Sequence, residues 1–363
     1  MCKKLVIGLG NCGTNIVKEA AYMNSMDDVT FYTIDSVASN ISMDTVARIN
    51  NIPIISDDKT GSGRNRERGR AMFEYHENHD AFDEMYQLAS ETSSPVIVIS
   101  SSSGGTGSGS MVPLCKTLTD MGVKVIPIIV IPALEDPIAY HMNTTDLFIE
   151  LGEAVEGLTY ATFRNVKNSA DYTAINKEIV TFMEIIFGKY YGDTEKDSID
   201  DSDLDQLLNM PGRLLAIYAV ANNVINLQKA VTAKVFSGYQ PAWTELQAAE
   251  LTLMKGYSMK SMFAATDYET VFENVNARIK SSIDEYRNLE VKDNNGLHEA
   301  TVIIAGLQRP ELKEVDFKYT GASSINTGIN KPSRPSFMSK KKGTVVQEKS
   351  TDGKSIIDKF KWN

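Results

Sequence analysis

Short hydrophobic runs separated by amphipathic segments make up the first half of this 363-residue chain. Runs rich in β-branched residues predict buried strands at 5–8, 29–34, 96–99 and 123–131. The segments between these runs show the three- and four-residue spacing of helices that pack on a sheet. Strands that alternate with helices are typical of a parallel α/β sheet, which binds ligands at the carboxyl ends of its strands.

The hydrophobic pattern of the second half predicts longer helices and fewer strands. A helix is predicted at 139–158, a strand at 160–164 and a long helix, apolar every three or four residues, at 171–187. After an acidic stretch, the remaining predicted elements are a strand at 214–220, helices at 246–253 and 268–286, and a strand at 300–306. This order indicates a smaller α+β unit after the parallel sheet.

The segment with the clearest chemical meaning follows the predicted strand 96–99. Residues 104–110 read GGTGSGS and lead into a predicted helix. Glycines let backbone N–H groups converge on an anion, and a helix amino terminus adds its dipole. The hydroxyl groups of Thr106, Ser108 and Ser110 offer further donors. A flexible linker is the alternative, but hydrophobic segments flank these residues directly, so phosphate binding is the better interpretation.

A second glycine-rich segment follows the first predicted strand. Gly8, Gly10 and Gly13 fit the pattern G-x-G-x-x-G, and the next strand ends at Asp35, where a dinucleotide fold places its ribose-binding acid. This segment alone suggests a nicotinamide-dependent oxidoreductase. That fold has no use for the glycine loop at 104–110, nor for a third glycine-rich segment at 61–70 that carries four arginines. Several loops around one ligand favour a nucleoside triphosphate.

These three segments together resemble the nucleotide loops of the tubulin/FtsZ superfamily. Residues 104–109 resemble the signature G-G-T-G-[ST]-G, and residues 10–13 resemble the first tubulin nucleotide loop, with Asn11 in place of Gln. Residues 61–69 resemble the FtsZ stretch G-x-G-x-N-P-x-x-G, with Arg66 in place of Pro. The resemblance runs from about residue 3 to about residue 220, and is greatest to the divergent plasmid and phage tubulins of the TubZ and PhuZ type.

The resemblance implies a fold class and a domain division. The fold class is α/β, with a parallel Rossmann-like GTPase domain, a long central helix and a smaller α+β activation domain. The expected divisions are a GTP-binding domain at 1–170, the central helix at 171–190, a catalytic loop with the activation domain at 191–330, and a basic disordered tail at 331–363.

The resemblance also implies GTP and GDP as ligands, with Mg²⁺, and a set of nucleotide-binding residues. No metal site formed by protein side chains alone is expected, because the four histidines show no metal-ligand spacing with the cysteines. The expected contacts to phosphate and sugar are Gly10, Asn11, Cys12, Asn15, Asp35, Gly63, Asn65, Gly104, Gly105, Thr106, Gly107, Ser108 and Glu135.

The guanine base is expected at the start of the central helix. Tyr172 and Asn176 match the tubulin pattern Y-x-x-x-N, in which the ring stacks on guanine and the amide binds its edge. Asn165 resembles the second base-binding Asn of FtsZ, and Asn168 is a competing candidate. An ordinary Tyr and Asn at a helix start are the alternative interpretation.

The arginines of the third segment have two interpretations. By resemblance to FtsZ, Asn65 lies over the γ-phosphate, and Arg66 at the proline position alters the shape of that loop. Four arginines exceed what one phosphate group can use, so a solvated basic face is an equal alternative for Arg64, Arg66, Arg68 and Arg70.

The acidic stretch carries the expected catalytic residues. In FtsZ a D-x-x-D loop acts on the nucleotide of the next subunit, and Asp200 and Asp203 offer that spacing here. Carboxylates can polarise an attacking water and help hold a cation near phosphate. Asp203 is also expected to cap the helix that follows. Asp201 and Asp205 remain alternatives for the pair, and a solvated acidic loop is the alternative to catalysis.

Charge is distributed unevenly along the chain. The net charge is −10, but residues 331–363 contain nine Lys and Arg against three Asp and Glu, a net of +6. No hydrophobic run approaches the ~20 residues of a membrane span, and we expect no leader peptide before the first strand. We expect no membrane partner and a cytoplasmic location in a bacterial host. The three cysteines indicate small buried side chains and not a disulfide framework.

The sequence therefore predicts a GTPase that polymerises head to tail, so that the protein itself is the first partner. Segregation or positioning of plasmid or phage DNA is the expected role, with a DNA-bound adaptor docking on the basic tail. An FtsZ-like cell-division scaffold is the nearest alternative, and an oxidoreductase is the distant one. A tail that only keeps the protein in solution, or packs on an adjacent subunit, is the alternative to adaptor docking.

Overall fold

A computed structural model gives the structure of most of the chain. The described residues are 3–37, 48–56, 60–133, 135–166, 172–188, 201–239, 259–265, 283–285, 288–290 and 297–307. The predicted tail at 331–363, the predicted helix at 246–253, Asn168 and Asp200 all lie outside these residues.

The described residues form eight α-helices and eleven strands. The helices are α1 (Gly10–Ala21), α2 (Arg66–His76), α3 (Asp80–Ser90), α4 (Thr106–Asp120), α5 (Ile138–Ala154), α6 (Tyr172–Ile186), α7 (Asp201–Leu208) and α8 (Val224–Ser237). The strands are β1 (Lys4–Leu9), β2 (Val29–Asp35), β3 (Ile49–Pro53), β4 (Val96–Ser101), β5 (Val125–Ile131), β6 (Thr159–Arg164), β7 (Gly212–Ala221), β8 (Met259–Ala265), β9 (Ile283–Glu285), β10 (Asn288–Glu290) and β11 (His298–Leu307).

The strands of the described residues belong to one sheet. Its order is β10-β8-β11-β7-β6-β5-β4-β1-β2-β3, and β9 pairs with β8. Strands β1 to β7 all pair in parallel with one another. Strand β11 is antiparallel to both β7 and β8. The order 3-2-1-4-5-6 is that of a Rossmann-like fold, in which the direction of winding changes between β1 and β4. The predicted α/β fold class is confirmed.

Alternate residues of the central strands supply two separate hydrophobic cores, one on each face of the sheet. In β1, Val6 belongs to the core that α1 and α6 cover, while Leu5 and Ile7 belong to the core under α2 to α5. This alternation is the two-residue period of a strand that is buried on both faces. The sheet is therefore rigid where its loops leave the strand ends.

Most predicted strands and helices of the first half exist with small changes at their ends. The main correction concerns the glycine-rich segments, which we expected to be loops. Helix α1 begins at Gly10, directly after β1, and α4 begins at Thr106, so most of both segments is helical. The third segment becomes helix α2 from Arg66 onward. Glycine is a poor helix former, but close backbone packing, described below, overrides that preference.

The second half departs further from prediction. The helix expected at 268–286 is contradicted at its end, where residues 283–285 form β9 and pair with β8. Strands β3 and β8 were not predicted. Strand β3 is short, polar and at the edge of the sheet, and β8 lacks a clear two-residue alternation of hydrophobic and polar residues. Strand β7 joins the two parts of the sheet through two pairs, Thr159 with Gly212 and Tyr160 with Arg213. The domain boundaries given above stay a prediction.

Candidate functional site

Two helices begin side by side where the winding of the sheet reverses. Helix α1 starts directly after β1, and α4 starts four residues after β4. Parallel strands β1 and β4 are neighbours, so both helix amino termini lie at the same edge of the sheet. Unpaired N–H groups and two helix dipoles at one point make this edge, which we call the phosphate edge, suitable for a polyanion.

Glycines allow the two helix starts to approach each other. Gly10 has a φ of +63°, and a Cβ there would lie 2.9 Å from the backbone nitrogen of Gly107. A Cβ on Gly107 would clash with Ser100 Oγ and lie 2.6 Å from the Leu9 carbonyl oxygen. By contrast, a Cβ on Gly104 would meet nothing closer than 4.0 Å. Gly104 is therefore the glycine of this loop with open space in front of its backbone.

Most of the remaining glycines of the three segments serve contacts within the protein, whereas a Cβ on Gly63 would meet nothing within 4 Å. Gly8 packs against Gly13, which brings α1 onto β1, with 2.5 Å between a Cβ on Gly8 and the Gly13 carbonyl oxygen. Gly69 of α2 packs on the carbonyl of Gly105, and a Cβ on Gly109 would lie 2.7 Å from the Arg70 nitrogen. The signature glycines Gly105 and Gly109 thus allow α2 to pack closely against α4.

A cluster of three buried hydroxyl groups joins the loops at the phosphate edge. Thr106 Oγ1 lies 2.6 Å from Ser36 Oγ and 2.8 Å from Ser62 Oγ. Ser108 Oγ donates to the Gly104 carbonyl. The side chains of Thr106 and Ser108 therefore bind protein atoms, so a phosphate would use their backbone N–H groups. Ser110 Oγ, the third expected donor, is buried with no hydrogen-bond partner in the structure.

Asp35 lies at the end of β2, at the same edge, and is buried. Its Oδ1 accepts hydrogen bonds from the backbone nitrogens of Ser36 at 2.7 Å and Val37 at 3.3 Å. The carboxylate thereby orders the turn that carries Ser36 into the hydroxyl cluster. This contact gives Asp35 a structural role, independent of any ribose.

The first turn of α1 presents the predicted nucleotide residues in two different ways. Asn11 and Asn15 are exposed on one face, with 3.4 Å between Asn15 Nδ2 and Asn11 Oδ1. Cys12 packs against the core, and burial raises the pKa of its thiol to about 12. A thiol with that pKa is neutral at physiological pH, so Cys12 offers no charge to a ligand.

The arginine-rich segment is mostly structural. Asn65 caps α2, with its Oδ1 accepting from the Arg68 nitrogen at 2.9 Å. Arg66 is 8% exposed and forms a two-pronged ion pair with Glu150 of α5, at 3.2 and 2.8 Å. Arg70 pairs with the same carboxylate. The alternative of a solvated basic face is therefore wrong for Arg66 and Arg70, because Glu150 of α5 pairs with both. Glu150 is far from these arginines in sequence, so the sequence alone did not indicate the contact.

Arg64 takes an unusual conformation next to Gly63. Its φ is +64°, which side chains other than glycine rarely adopt, and its guanidinium lies 4.6 Å from the ring centre of Tyr140. Asn143 Nδ2 donates to the Ser103 carbonyl at 3.1 Å and contacts the Arg64 carbonyl at 3.4 Å. These contacts connect the arginine segment to the loop before α4. A cavity of about 560 Å³ lies beside them, lined by Gly63, Arg64, Asn65, Arg66, Glu67, Arg70, Asn143, Asp146 and Glu150.

The predicted base-binding residues lie directly after β6 and in the first turns of α6. Asn165 comes directly after β6, its backbone nitrogen donating to the Ile131 carbonyl at 2.8 Å. Tyr172 is the first residue of α6 and is 43% exposed, and Asn176 is half-buried one turn later. Glu135 is exposed in the turn after β5. An exposed ring at a helix start is available for stacking on a base.

Helix α7 lies at the opposite edge of the sheet from the phosphate loops. Lys124, directly before β5, pairs with Asp205 at 2.7 Å, and Thr159, the first residue of β6, donates to the Met210 carbonyl at 2.8 Å. Strand β5 has seven residues, so it spans about 20 Å from that edge to the phosphate edge. Asp203 is two residues before Asp205 on the same helix, which adds only about 3 Å along its axis.

The structure changes two expectations about the acidic residues. Asp203 was expected to cap a helix, but α7 already begins at Asp201, so Asp203 lies inside its first turn. Asp205, an alternative catalytic residue, has both oxygens engaged, by Lys124 and by Asn209 Nδ2 at 3.1 Å. Both oxygens of Asp205 therefore already have partners within the chain.

The described part of the chain contains neither a candidate metal centre nor a candidate membrane-spanning helix. No group of three or more His, Cys, Asp and Glu side chains within it could hold a metal ion. None of its helices combines the length and the hydropathy that crossing a bilayer requires.

The family comparison decides the identity of the first domain. Residues 3–171 match the model of the Tubulin/FtsZ family, GTPase domain. Residues 3–171 are therefore a tubulin/FtsZ GTPase domain. This confirms both the predicted superfamily and the predicted class of enzyme, a GTPase. A search among curated proteins gave no match.

Solved structures of TubZ and CetZ proteins share the fold of this chain. TubZ of Clostridium botulinum phage c-st has 15% identity and a TM-score of 0.66, covering 88% of this chain and 99% of that one. TubZ of Bacillus thuringiensis serovar israelensis, solved as a GTPγS-form protofilament, has 18% identity and a TM-score of 0.64, with 88% and 91% covered. CetZ1 of Haloferax volcanii, a GDP-bound monomer, has 19% identity and a TM-score of 0.63, with 88% and 100% covered.

Proposed function

We propose that this GTPase completes its active site only between two copies of the chain stacked head to tail. One observation carries the proposal: the phosphate edge and the acidic helix α7 lie at opposite edges of one rigid sheet, about 20 Å apart. A carboxylate near α7 cannot reach a nucleotide bound by its own chain. Stacking one copy on the next brings the two edges together, and such a contact repeats without closing.

At this junction, different groups of the two copies bind the phosphates, bind the base and activate the attacking water. Backbone N–H groups at the starts of α1 and α4 hold the phosphates, with Gly104 as the point of closest approach. Tyr172, Asn165 and Asn176 hold guanine. Mg²⁺ would be held chiefly by phosphate oxygens and would neutralise charge there. Asp200 and Asp203 of the next copy orient and polarise the attacking water.

Filaments of this kind are proposed to segregate or position plasmid or phage DNA in a bacterial cytoplasm. The support is the similarity to TubZ structures and the basic segment 331–363, which would dock on a DNA-bound adaptor. Removing residues 331–363 should leave GTPase activity unchanged and abolish recruitment to an adaptor–DNA complex. Loss of polymerisation in that truncation would instead place the segment in the filament. An FtsZ-like division scaffold remains the second candidate, because archaeal FtsZ shares the fold.

The dependence of GTPase rate on protein concentration tests the proposed junction. With saturating GTP, the rate per subunit should rise steeply over the concentration range in which light scattering reports polymer. A rate per subunit that stays constant from nanomolar to micromolar protein would show that each chain hydrolyses its own nucleotide. Competition of GTP against ATP and NAD checks the ligand, since a preference for either competitor contradicts the assignment.

A further inference from the structure

One long-range ion pair joins α7 to the sheet. Lys124 Nζ lies 2.7 Å from Asp205 Oδ1 and 3.4 Å from the Asp205 carbonyl oxygen. The two residues are 81 positions apart, and Lys124 is fixed by its place directly before β5, where its own carbonyl accepts from the Val96 nitrogen at 2.8 Å. A rigid strand start thus contacts the helix whose first turn includes Asp203.

Apolar contacts already attach α7 to the core, so the ion pair has little to add to stability. Leu207 and Leu208 are buried in the core on the α6 face, and the Met210 carbonyl is held by Thr159. The Asp205 side chain is 62% exposed and that of Lys124 is 25% exposed, so solvent screens the pair and limits its contribution to stability. Asp205 lies about half a helical turn after Asp203. The ion pair therefore restrains the orientation of the helix start, whereas the apolar contacts keep the helix attached to the core.

We propose that Lys124 is a positioning residue for GTP hydrolysis: through Asp205 it sets the orientation of α7 and thereby the placement of the helix's first turn, with its acidic residues, at the neighbouring subunit's nucleotide. This inference rests on the proposed function, because it assumes that those residues act across the junction. A displacement of a catalytic group by about 1 Å can cost 10²-fold in rate. A modest shift of α7 should therefore lower turnover well before it weakens folding or nucleotide binding.

The experiment compares Lys124→Met with Lys124→Arg and with Lys116→Met. Arginine retains the charge and the reach to Asp205. Lys116 pairs with Asp120 at 2.5 Å on the surface of α4, with both partners more exposed, and provides a matched control that does not touch α7. Each full-length variant is measured for GTP affinity, for kcat and KM above the polymerisation threshold, for melting temperature, and for amide hydrogen exchange over residues 204–210.

Lys124→Met should lower kcat about tenfold while GTP affinity and melting temperature stay near wild type. Exchange over 204–210 should rise severalfold. Lys124→Arg should recover most of the rate, and Lys116→Met should match wild type. The exchanged pair, Lys124→Asp with Asp205→Lys, should also recover activity relative to either single change.

Wild-type kcat in Lys124→Met, or an equal loss in Lys116→Met, would overturn the inference. So would unchanged exchange over 204–210, since the ion pair would then not restrain the helix. These results differ from failure of the proposed function, which would appear as a concentration-independent rate in the wild type. The exchange measurement needs neither GTP nor polymer, and therefore tests the Lys124 contact even in that event.

Discussion

The two edges of the sheet are built by different kinds of interaction. At the phosphate edge, the contacts are largely between backbones, and glycines such as Gly10 and Gly107 are required because no Cβ fits. At the α7 edge, contacts between side chains distant in sequence fix the helix, with Lys124 and Asp205 as the example. The first edge tolerates almost no change in side-chain volume, whereas the second depends on charge and orientation. The difference teaches that binding and hydrolysis should be separable by mutation.

The largest effect is expected from Gly107→Val at the phosphate edge. The added branched side chain would clash with Ser100 Oγ and the Leu9 carbonyl, so the start of α4 must move. We expect GTP affinity to fall by about 1,000-fold, or about 4 kcal/mol. Isothermal titration with GTPγS measures it.

Gly104→Ala refines this prediction, because the added Cβ causes no clash within the protein. Its nearest neighbour, the Ser101 carbonyl oxygen, lies 4.0 Å away. The melting temperature of Gly104→Ala should stay near that of wild type. Gly152→Ala in helix α5 also adds a Cβ that meets nothing, and serves as the control for binding. Only Gly104→Ala should lose affinity. Equal binding by the two alanine variants would mean that phosphate does not approach Gly104.

Next in size is Asp203→Ala at the opposite edge. Loss of a carboxylate that orients water should lower kcat about 100-fold, while GTP binding and assembly persist and filaments last longer. Single-turnover hydrolysis with pelleting of polymer measures both properties. Asp201→Ala is the companion variant. A larger loss in Asp201→Ala than in Asp203→Ala would exchange their roles, and full activity in both would remove this stretch from catalysis.

A smaller effect is expected from Glu150→Gln, which removes the countercharge of two arginines. Arg66 is nearly buried, so the free energy of unfolding should fall by about 1–3 kcal/mol, measured in urea. Asp120→Asn, which breaks a surface pair on α4, should change it by less than about 1 kcal/mol. GTP affinity should change little in either. A large loss of affinity in Glu150→Gln would return Arg66 and Arg70 to the nucleotide site.

The smallest effect concerns Cys12. Burial raises its pKa from 9.0 to about 12, so the native state binds a proton that the unfolded chain releases between those values. The stabilising contribution is complete below pH 9 and is lost as pH rises toward 12. At pH 8, mass spectrometry of alkylated peptides should show Cys12 protected in the folded protein and modified in urea. Rapid modification of the native protein would contradict this burial.

The glycine-rich segments and the strands before them could be predicted from sequence, because their requirements are local. A hydrophobic run predicts a buried strand from its own residues, and a GGTGSG segment after it needs no distant partner to indicate phosphate. The same holds for α6, whose hydrophobic spacing covers most of its length. Polar strand β3 and short strand β9 could not be found this way, because sheet pairing and not local pattern makes them strands.

By itself, then, the sequence determined most strands and helices of the first half, the superfamily and the class of enzyme, since short-range pattern and motif carry each of these. Only the tertiary structure decided which glycines face open space, that Glu150 neutralises Arg66 and Arg70, and that Lys124 engages Asp205. It also placed α7 at the edge opposite the phosphate loops. Partners such as Lys124 and Asp205 are 81 positions apart, and their contact depends on how the whole sheet winds, which no local pattern encodes.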